Sequence, residues 1–162
     1  MLARTRLDVD ALNALARAAA LQAGDITGPV TSAGGREWQA GDLLRARRND
    51  RRLVLDSAAT DGHVRNGDRY RVLGPGPEDG LIVEDLRGRG RVILPAAYLE
   101  QHCEYGWAST IDSAQGATAD VGIVLVRPGL DRAHLYVAMT RGRHGNHAYI
   151  TTEAPTDPAH DH

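Results

Sequence analysis

Lysine and phenylalanine are absent from these 162 residues, cysteine occurs once, and aromatic side chains make up only 4%. Without lysine no G-x-x-x-x-G-K-[ST] loop can exist, so the chain lacks that cradle for nucleotide phosphates and should not hydrolyse a nucleotide alone. The single cysteine, Cys103, can form neither an internal disulfide nor a thiolate metal cage. That fits a reducing compartment, and the cytoplasm is the expected location. Long apolar runs are missing as well. Arg4, Arg6, Asp8, Asp10 and Arg17 interrupt the N-terminal segment, so neither secretion nor membrane insertion is expected. His144 and His147 stand close together and His160 and His162 lie in the tail. No carboxylate or cysteine occurs at matching spacing, so no metal site is expected. No nucleophile elbow surrounds a serine, and His102 beside Cys103 does not define a catalytic pair.

What is present is a soluble globular composition. Hydrophobic residues reach 42%, enough for a core built mostly from Leu, Val, Ile and Ala. The formal net charge is −2, so any contact with a polyanion must be local. The length suits one domain, or one domain interrupted by a small inserted module.

Val9, Leu12, Leu15, Ala16 and Ala19 repeat at helical spacing, which predicts an amphipathic helix over residues 8–23 with Asp8 as its cap and Gly24 as its stop. The Gly-, Pro-, Ser- and Thr-rich stretch after it predicts a linker over residues 26–36. From Gly41 to about His102 the texture changes to short β-prone pieces, LLRAR, RLVL, DRYRVL, LIVEDL and RVIL, separated by ND, NGD, GPGPEDG and RGRG. That spacing predicts a small SH3-like or OB-like barrel. Beyond Tyr105 the order becomes strand, helix, strand, helix, strand: WAST, DSAQG, GIVLV, AHLYVAMTRGR, HAYITT. The expected architecture is therefore an α/β parallel sheet whose N-terminal helix and C-terminal half meet in space, with the barrel inserted between them. The terminal PTDPAHDH is expected to be disordered.

Two strings carry the chemistry, STIDSAQGATAD (residues 109–120) and LYVAMTRGR (residues 135–143). Ser109, Thr110 and Thr118 flank Gln115 and Gly116 at a predicted strand-to-helix turn, where small hydroxyls and free backbone N–H groups can grip phosphate oxygens. The alternative is that they merely cap a helix. Arg141 follows a predicted helix, where a rigid guanidinium could neutralise charge during phosphoryl transfer, or simply pair with the helix dipole. The run RARRNDRR (residues 45–52) could follow a nucleic-acid backbone, unless strand alternation splits its arginines between two faces.

With those strings in view, the chain resembles the C-terminal part of superfamily 1 DNA helicases. It is most similar to the RecD-like helicase region of conjugative relaxases of the TraI/TrwC (MobF) type. The resemblance implies a partial RecA-like domain, the P-loop NTPase type of α/β fold, with an inserted SH3-like β-barrel. Residues 1–38 would begin the second RecA-like domain, 39–103 would form the barrel, 104–152 would complete the domain with helicase motifs V and VI, and 153–162 would be a tail. It also implies that Ser109, Thr110 and Thr118 lie toward single-stranded DNA, that Gln115 and Gly116 lie toward the nucleotide cleft, and that Arg141 reaches the γ-phosphate as an arginine finger. Arg47, Arg48 and Asn49 in the barrel would help to hold the strand, with Asn49 and Asn66 at strand ends as in the family.

Three departures matter. The Walker A loop and Walker B acid are absent, the relaxase tyrosine and three-histidine site are absent, and Asp112 replaces a basic or histidine side chain. ATP with Mg is therefore expected only in a complete two-domain assembly, with a helicase half carrying the Walker motifs as partner beside single-stranded DNA. The alternatives are a stand-alone single-stranded DNA-binding module and an inert remnant of a truncated helicase gene.

Overall fold

The computed structural model describes residues 1–56 and 62–151, so the tail expected at 153–162 lies outside the described residues. After β1 (Leu2–Ala3), the helix α1 runs Arg6–Ala23. Its cap is Thr5, whose hydroxyl accepts from the Asp8 amide at 3.1 Å, so the helix starts two residues before the predicted 8 and Asp8 sits in its first turn. The Thr5 hydroxyl also donates to the Asp8 carboxylate at 2.7 Å, and this N-cap pair outcompetes Asp8 as the start signal. Gly24 ends the helix in the left-handed conformation, as predicted.

The predicted linker is instead a hairpin, β2 (Thr27–Ala33) with β3 (Arg36–Ala40). Gly34–Gly35 make the turn, and Trp38 buries its ring and donates its indole N–H to the Ala33 carbonyl at 3.2 Å. A Gly-Gly pair between β-prone residues is a hairpin signal as well as a loop signal, and the buried indole decides between them. Next come β4 (Leu43–Ala46), β5 (Asp50–Val54), β6 (His63–Val64), β7 (Arg69–Pro75), β8 (Leu81–Asp85) and β9 (Arg91–Leu94). A short helix α2 (Ala96–His102) and β10 (Cys103–Tyr105) close this unit. It holds a five-stranded antiparallel sheet in the order β10-β4-β7-β8-β9, with the β2/β3 and β5/β6 pairs beside it. Its core is aliphatic with Trp38, Tyr70 and Tyr98 added, which include Leu44, Leu81, Leu94 and Leu99 as fully buried side chains.

The chain then returns as β11 (Ser109–Thr110), a single 3-10 turn (Asp112–Ala114), β12 (Ala119–Val126), α3 (Arg132–Met139) and β13 (Gly142–Ile150). These strands form one wholly parallel sheet with β1, in the order β11-β1-β12-β13. Strand alternation puts a helix on each face. Leu2 and Val124 pack with Ala138 and Leu135 of α3, whereas Ala3 and Leu125 pack with Val9 and Leu12 of α1. The fold is therefore a mixed α/β one, a parallel sheet with the antiparallel unit entering between α1 and β11. Among the described residues, no helix is long and apolar enough to cross a membrane.

Candidate functional site

Arg141 is placed by the tight passage from α3 into β13. Asp131 caps α3, accepting from the His134 amide at 2.9 Å, and this backbone hydrogen bond holds the Asp131 carboxyl down to about 2. At the other end of α3, the Arg141 carbonyl accepts from the Ala119 amide at 2.9 Å, which ties the residue to the start of β12. Asn146 grips both backbone groups of Gly142, at 2.8 and 3.1 Å. Only glycine fits there. A Cβ on Gly142 would lie 2.6 Å from the Gly122 nitrogen and collide with the Gly145 carbonyl.

The Arg141 guanidinium donates to the Val137 carbonyl (2.9 Å), the Thr140 hydroxyl (3.1 Å) and the Ala117 carbonyl (3.5 Å). Its first contact is the dipole-pairing role open to any arginine at a helix end. No carboxylate pairs with it among the described residues, so its charge stays available.

The other string folds differently from expectation. DSAQG makes one 3-10 turn rather than a helix, because Thr110 and Ser113 close it locally. Their hydroxyls share a hydrogen bond of 2.7 Å, and the Ser113 hydroxyl reaches the Thr110 carbonyl at 2.9 Å. Gln115 is exposed, and Gly116 turns the chain at φ 77°.

A cleft of about 390 Å³ separates the edge of the parallel sheet from the antiparallel unit. Ser109, Thr118 and Arg141 line it together; Thr110, Gln115 and Gly116 lie outside that lining. Opposite them the cleft gains Arg45, Arg69, Arg87 and Trp107, with Arg143 on the sheet side. Arg45 lies in the arginine run and Arg143 in the second string read from the sequence, but Arg69, Arg87 and Trp107 were not singled out for a site, because they come from separate elements whose meeting depends on how the two sheets pack.

Arg47, Arg48 and Asn49 are elsewhere. Arg48 and Asn49 line a second hollow with Tyr98 and His102. There Arg48 lies 3.2 Å from the His102 ring, Asn49 accepts from the Asn66 amide at 2.7 Å, and the Tyr98 hydroxyl donates to the Arg48 carbonyl. Strand alternation has split the arginine run, turning Arg45 inward. The buried Glu104 carboxylate binds three guanidiniums: Arg6 at 2.8 Å, Arg45 at 3.1 Å and Arg47 at 2.8 Å. Arg45 also donates to the Ser113 carbonyl at 3.0 Å and hydroxyl at 3.1 Å. One charge cluster thus joins α1, the antiparallel unit and the 3-10 turn. Among the described residues no cluster of metal ligands occurs.

This parallel sheet, covered on both faces and interrupted by an antiparallel unit, has the RecA-like fold of Pif1 helicases. A Bacteroides Pif1 helicase solved with ADP-AlF3 and single-stranded DNA superposes with a TM-score of 0.61 at 17% identity, over 91% of this chain and 39% of that one.

In sequence, the chain is 34% identical over 146 residues to the conjugal transfer protein TraA of Agrobacterium fabrum, covering 88% of this chain and 12% of TraA. An uncharacterized protein of Mycobacterium tuberculosis is 36% identical over 96 residues, or 59% of this chain and 55% of that relative. The chain thus spans about half of the mycobacterial relative and about an eighth of TraA. No protein-family model matches. The fold similarity is thus to Pif1 helicases and the sequence similarity to conjugal transfer TraA proteins.

Proposed function

We propose that this chain serves as the second RecA-like domain of a conjugative, TraI-like helicase, with the antiparallel unit as its SH3-like insertion. Arg141 acts as the arginine finger on a nucleotide, ATP with Mg, held by a partner domain that carries the Walker motifs. Ser109, Thr110 and Thr118 face single-stranded DNA, Gln115 and Gly116 face the nucleotide, and Arg47, Arg48 and Asn49 give further strand contacts. The chain alone turns over no ATP.

The observation that carries this reading is the guanidinium of Arg141, held by the Val137 carbonyl and the Thr140 hydroxyl, half exposed and without a carboxylate partner among the described residues, in one cleft with Ser109 and Thr118. Exposed Tyr136, Tyr149 and Ile150 also suit a chain that docks against a larger assembly. The test is to mix the chain with the Walker-bearing segment of a TraA relative and single-stranded DNA, and to follow ATP hydrolysis. Turnover beyond that of either component is expected. No gain on mixing, with the two segments shown to bind each other, refutes the assignment.

A further inference from the structure

We propose that β13 is a surface on which two copies of this chain join, edge to edge and antiparallel, about a two-fold axis through Ala148. The inference is independent of the role given to Arg141, and it names a second copy as a partner for the surface that carries Tyr149 and Ile150.

The order β11-β1-β12-β13 leaves the parallel sheet two edges, of which β11 has two residues and β13 has nine. Among the described residues β13 pairs with β12 alone. The Thr151 amide donates to the Val126 carbonyl at 3.1 Å, while Ile150 is the residue in register with Val126. In a parallel ladder a residue bonds the two neighbours of its register partner, so His147, Tyr149 and Thr151 turn their backbone groups toward β12. Asn146, Ala148 and Ile150 turn theirs outward. Such a row of N–H and C=O groups is a template for another strand, and sheets that avoid pairing guard it with lysine, proline, a bulge or a cover. This row has no such guard. The chain contains no lysine, β13 contains no proline, and the register shift lies before Val121 and Gly145. Residues 147–150 are exposed, so no described element covers them.

Three features select a second copy as the occupant. The outward residues are centred on Ala148, so one two-fold axis pairs Ala148 with itself and Asn146 with Ile150 of the second copy, using every outward group of the row. The same register sets His147 opposite Tyr149 of the second copy, on the face shared with Leu125. No Asp, Glu or Arg stands between Gly145 and Thr151, so no permanent like charges meet at the axis. Tyr149 and Ile150 are 62% and 70% exposed, and pairing removes part of that apolar surface from water. The chain's own last residues are a poor substitute, because Pro155 and Pro158 lack the N–H that a ladder needs.

The contact is small, so association on the order of 10 µM is expected rather than nanomolar. Sedimentation velocity of the full chain over a range of concentrations about that value should show its mass rise from one chain to two. Ala148→Pro removes an outward N–H from each copy and leaves the bonds to β12 in place. Losing both hydrogen bonds should weaken the dimer by about tenfold or more. Ile150→Lys, at an exposed position, sets a charge beside the axis and should weaken it too. Ala148→Cys would place two Cα atoms about 5.5 Å apart, within reach of a disulfide, so oxidation should link the chains. Tyr149→Cys leaves its two copies on a diagonal of about 7–8 Å and should not link. Cys103 is buried and gives no background. Circular dichroism melting establishes that each variant is folded.

A parent that keeps the mass of one chain at every concentration overturns the proposal and leaves the Arg141 assignment untouched. A dimer that survives unchanged in folded Ala148→Pro and Ile150→Lys overturns it as well. If the chain stays single while Ala148→Pro weakens its binding to the Walker-bearing segment, the edge belongs to that partner and the second copy is ruled out.

Discussion

Replacing Glu104 by Gln strikes the joint between the two sheets. The Glu104 and Arg45 side chains are each 7% exposed, while Arg6 and Arg47 are 50% and 46% exposed. Removing one partner of a buried pair costs about 3–5 kcal/mol, because the other charge is left uncompensated. Each half-exposed partner contributes at most about 1 kcal/mol. Glutamine keeps the shape and some hydrogen bonds, so the expected loss is about 3–4 kcal/mol from a total stability on the order of 5–15 kcal/mol. For a chain of this size that lowers Tm by roughly 10 °C. The assay is urea unfolding and thermal melting followed by circular dichroism.

Acid gives an independent check. Burial pushes the Glu104 carboxyl up, but hydrogen bonds from Arg6 and Arg47, together with their charge, outweigh it and leave the group below its ordinary value. A depressed folded pKa stabilises fully above the unfolded value, about 4.3, and that part is lost as pH falls through the folded value. The parent should therefore lose this increment below about pH 4, and Glu104→Gln should not. Arg45→Met with Glu104→Leu removes both buried charges and should recover much of the loss. A Glu104→Gln loss under about 1 kcal/mol, with an unchanged acid limb, would refute the idea that this carboxylate joins the sheets.

Two further outcomes follow from the packing. Gly142→Ala must push β12 and β13 apart where its Cβ meets the Gly145 carbonyl and the Gly122 nitrogen, and should cost about 3 kcal/mol; a neutral result in the same urea titration would show that the strands yield there. Cys103 is buried, and burial pushes its thiol up to about 12. A thiol reagent at pH 8 should label it no faster than the chain unfolds, and rapid labelling of the folded protein would contradict its burial.

Local patterns carried much of the fold. The helical spacing from Val9 to Ala19 marks α1, Gly24 marks its stop, and continuous GIVLV marks the central parallel strand β12. LLRAR, DRYRVL, LIVEDL and RVIL became strands of one antiparallel sheet, while RLVL became β5, paired with β6 beside it. What escaped depends on distant partners. Helix α2 spans seven residues, too few to hold alone, and forms because Tyr98 and Leu99 bury in the antiparallel core. The linker became a hairpin once Trp38 found its pocket. At the site, Arg141, Ser109 and Thr118 could be picked from their strings. The inward turn of Arg45 toward Glu104 could not, since it depends on a contact 59 positions away. Arg69, Arg87 and Trp107 share no local motif, and only the packing of the two sheets makes them neighbours.

The most direct test of the central claim is single-turnover ATP hydrolysis by the Walker-bearing partner segment mixed with this chain, comparing the parent with Arg141→Ala and Arg141→Lys. If Arg141 stabilises the charge that develops on the transferring phosphoryl group, alanine should slow the step by about 10³- to 10⁵-fold while association of the two segments is unchanged, and lysine should restore only part of the rate. An Arg141→Ala rate within about threefold of the parent would contradict the account.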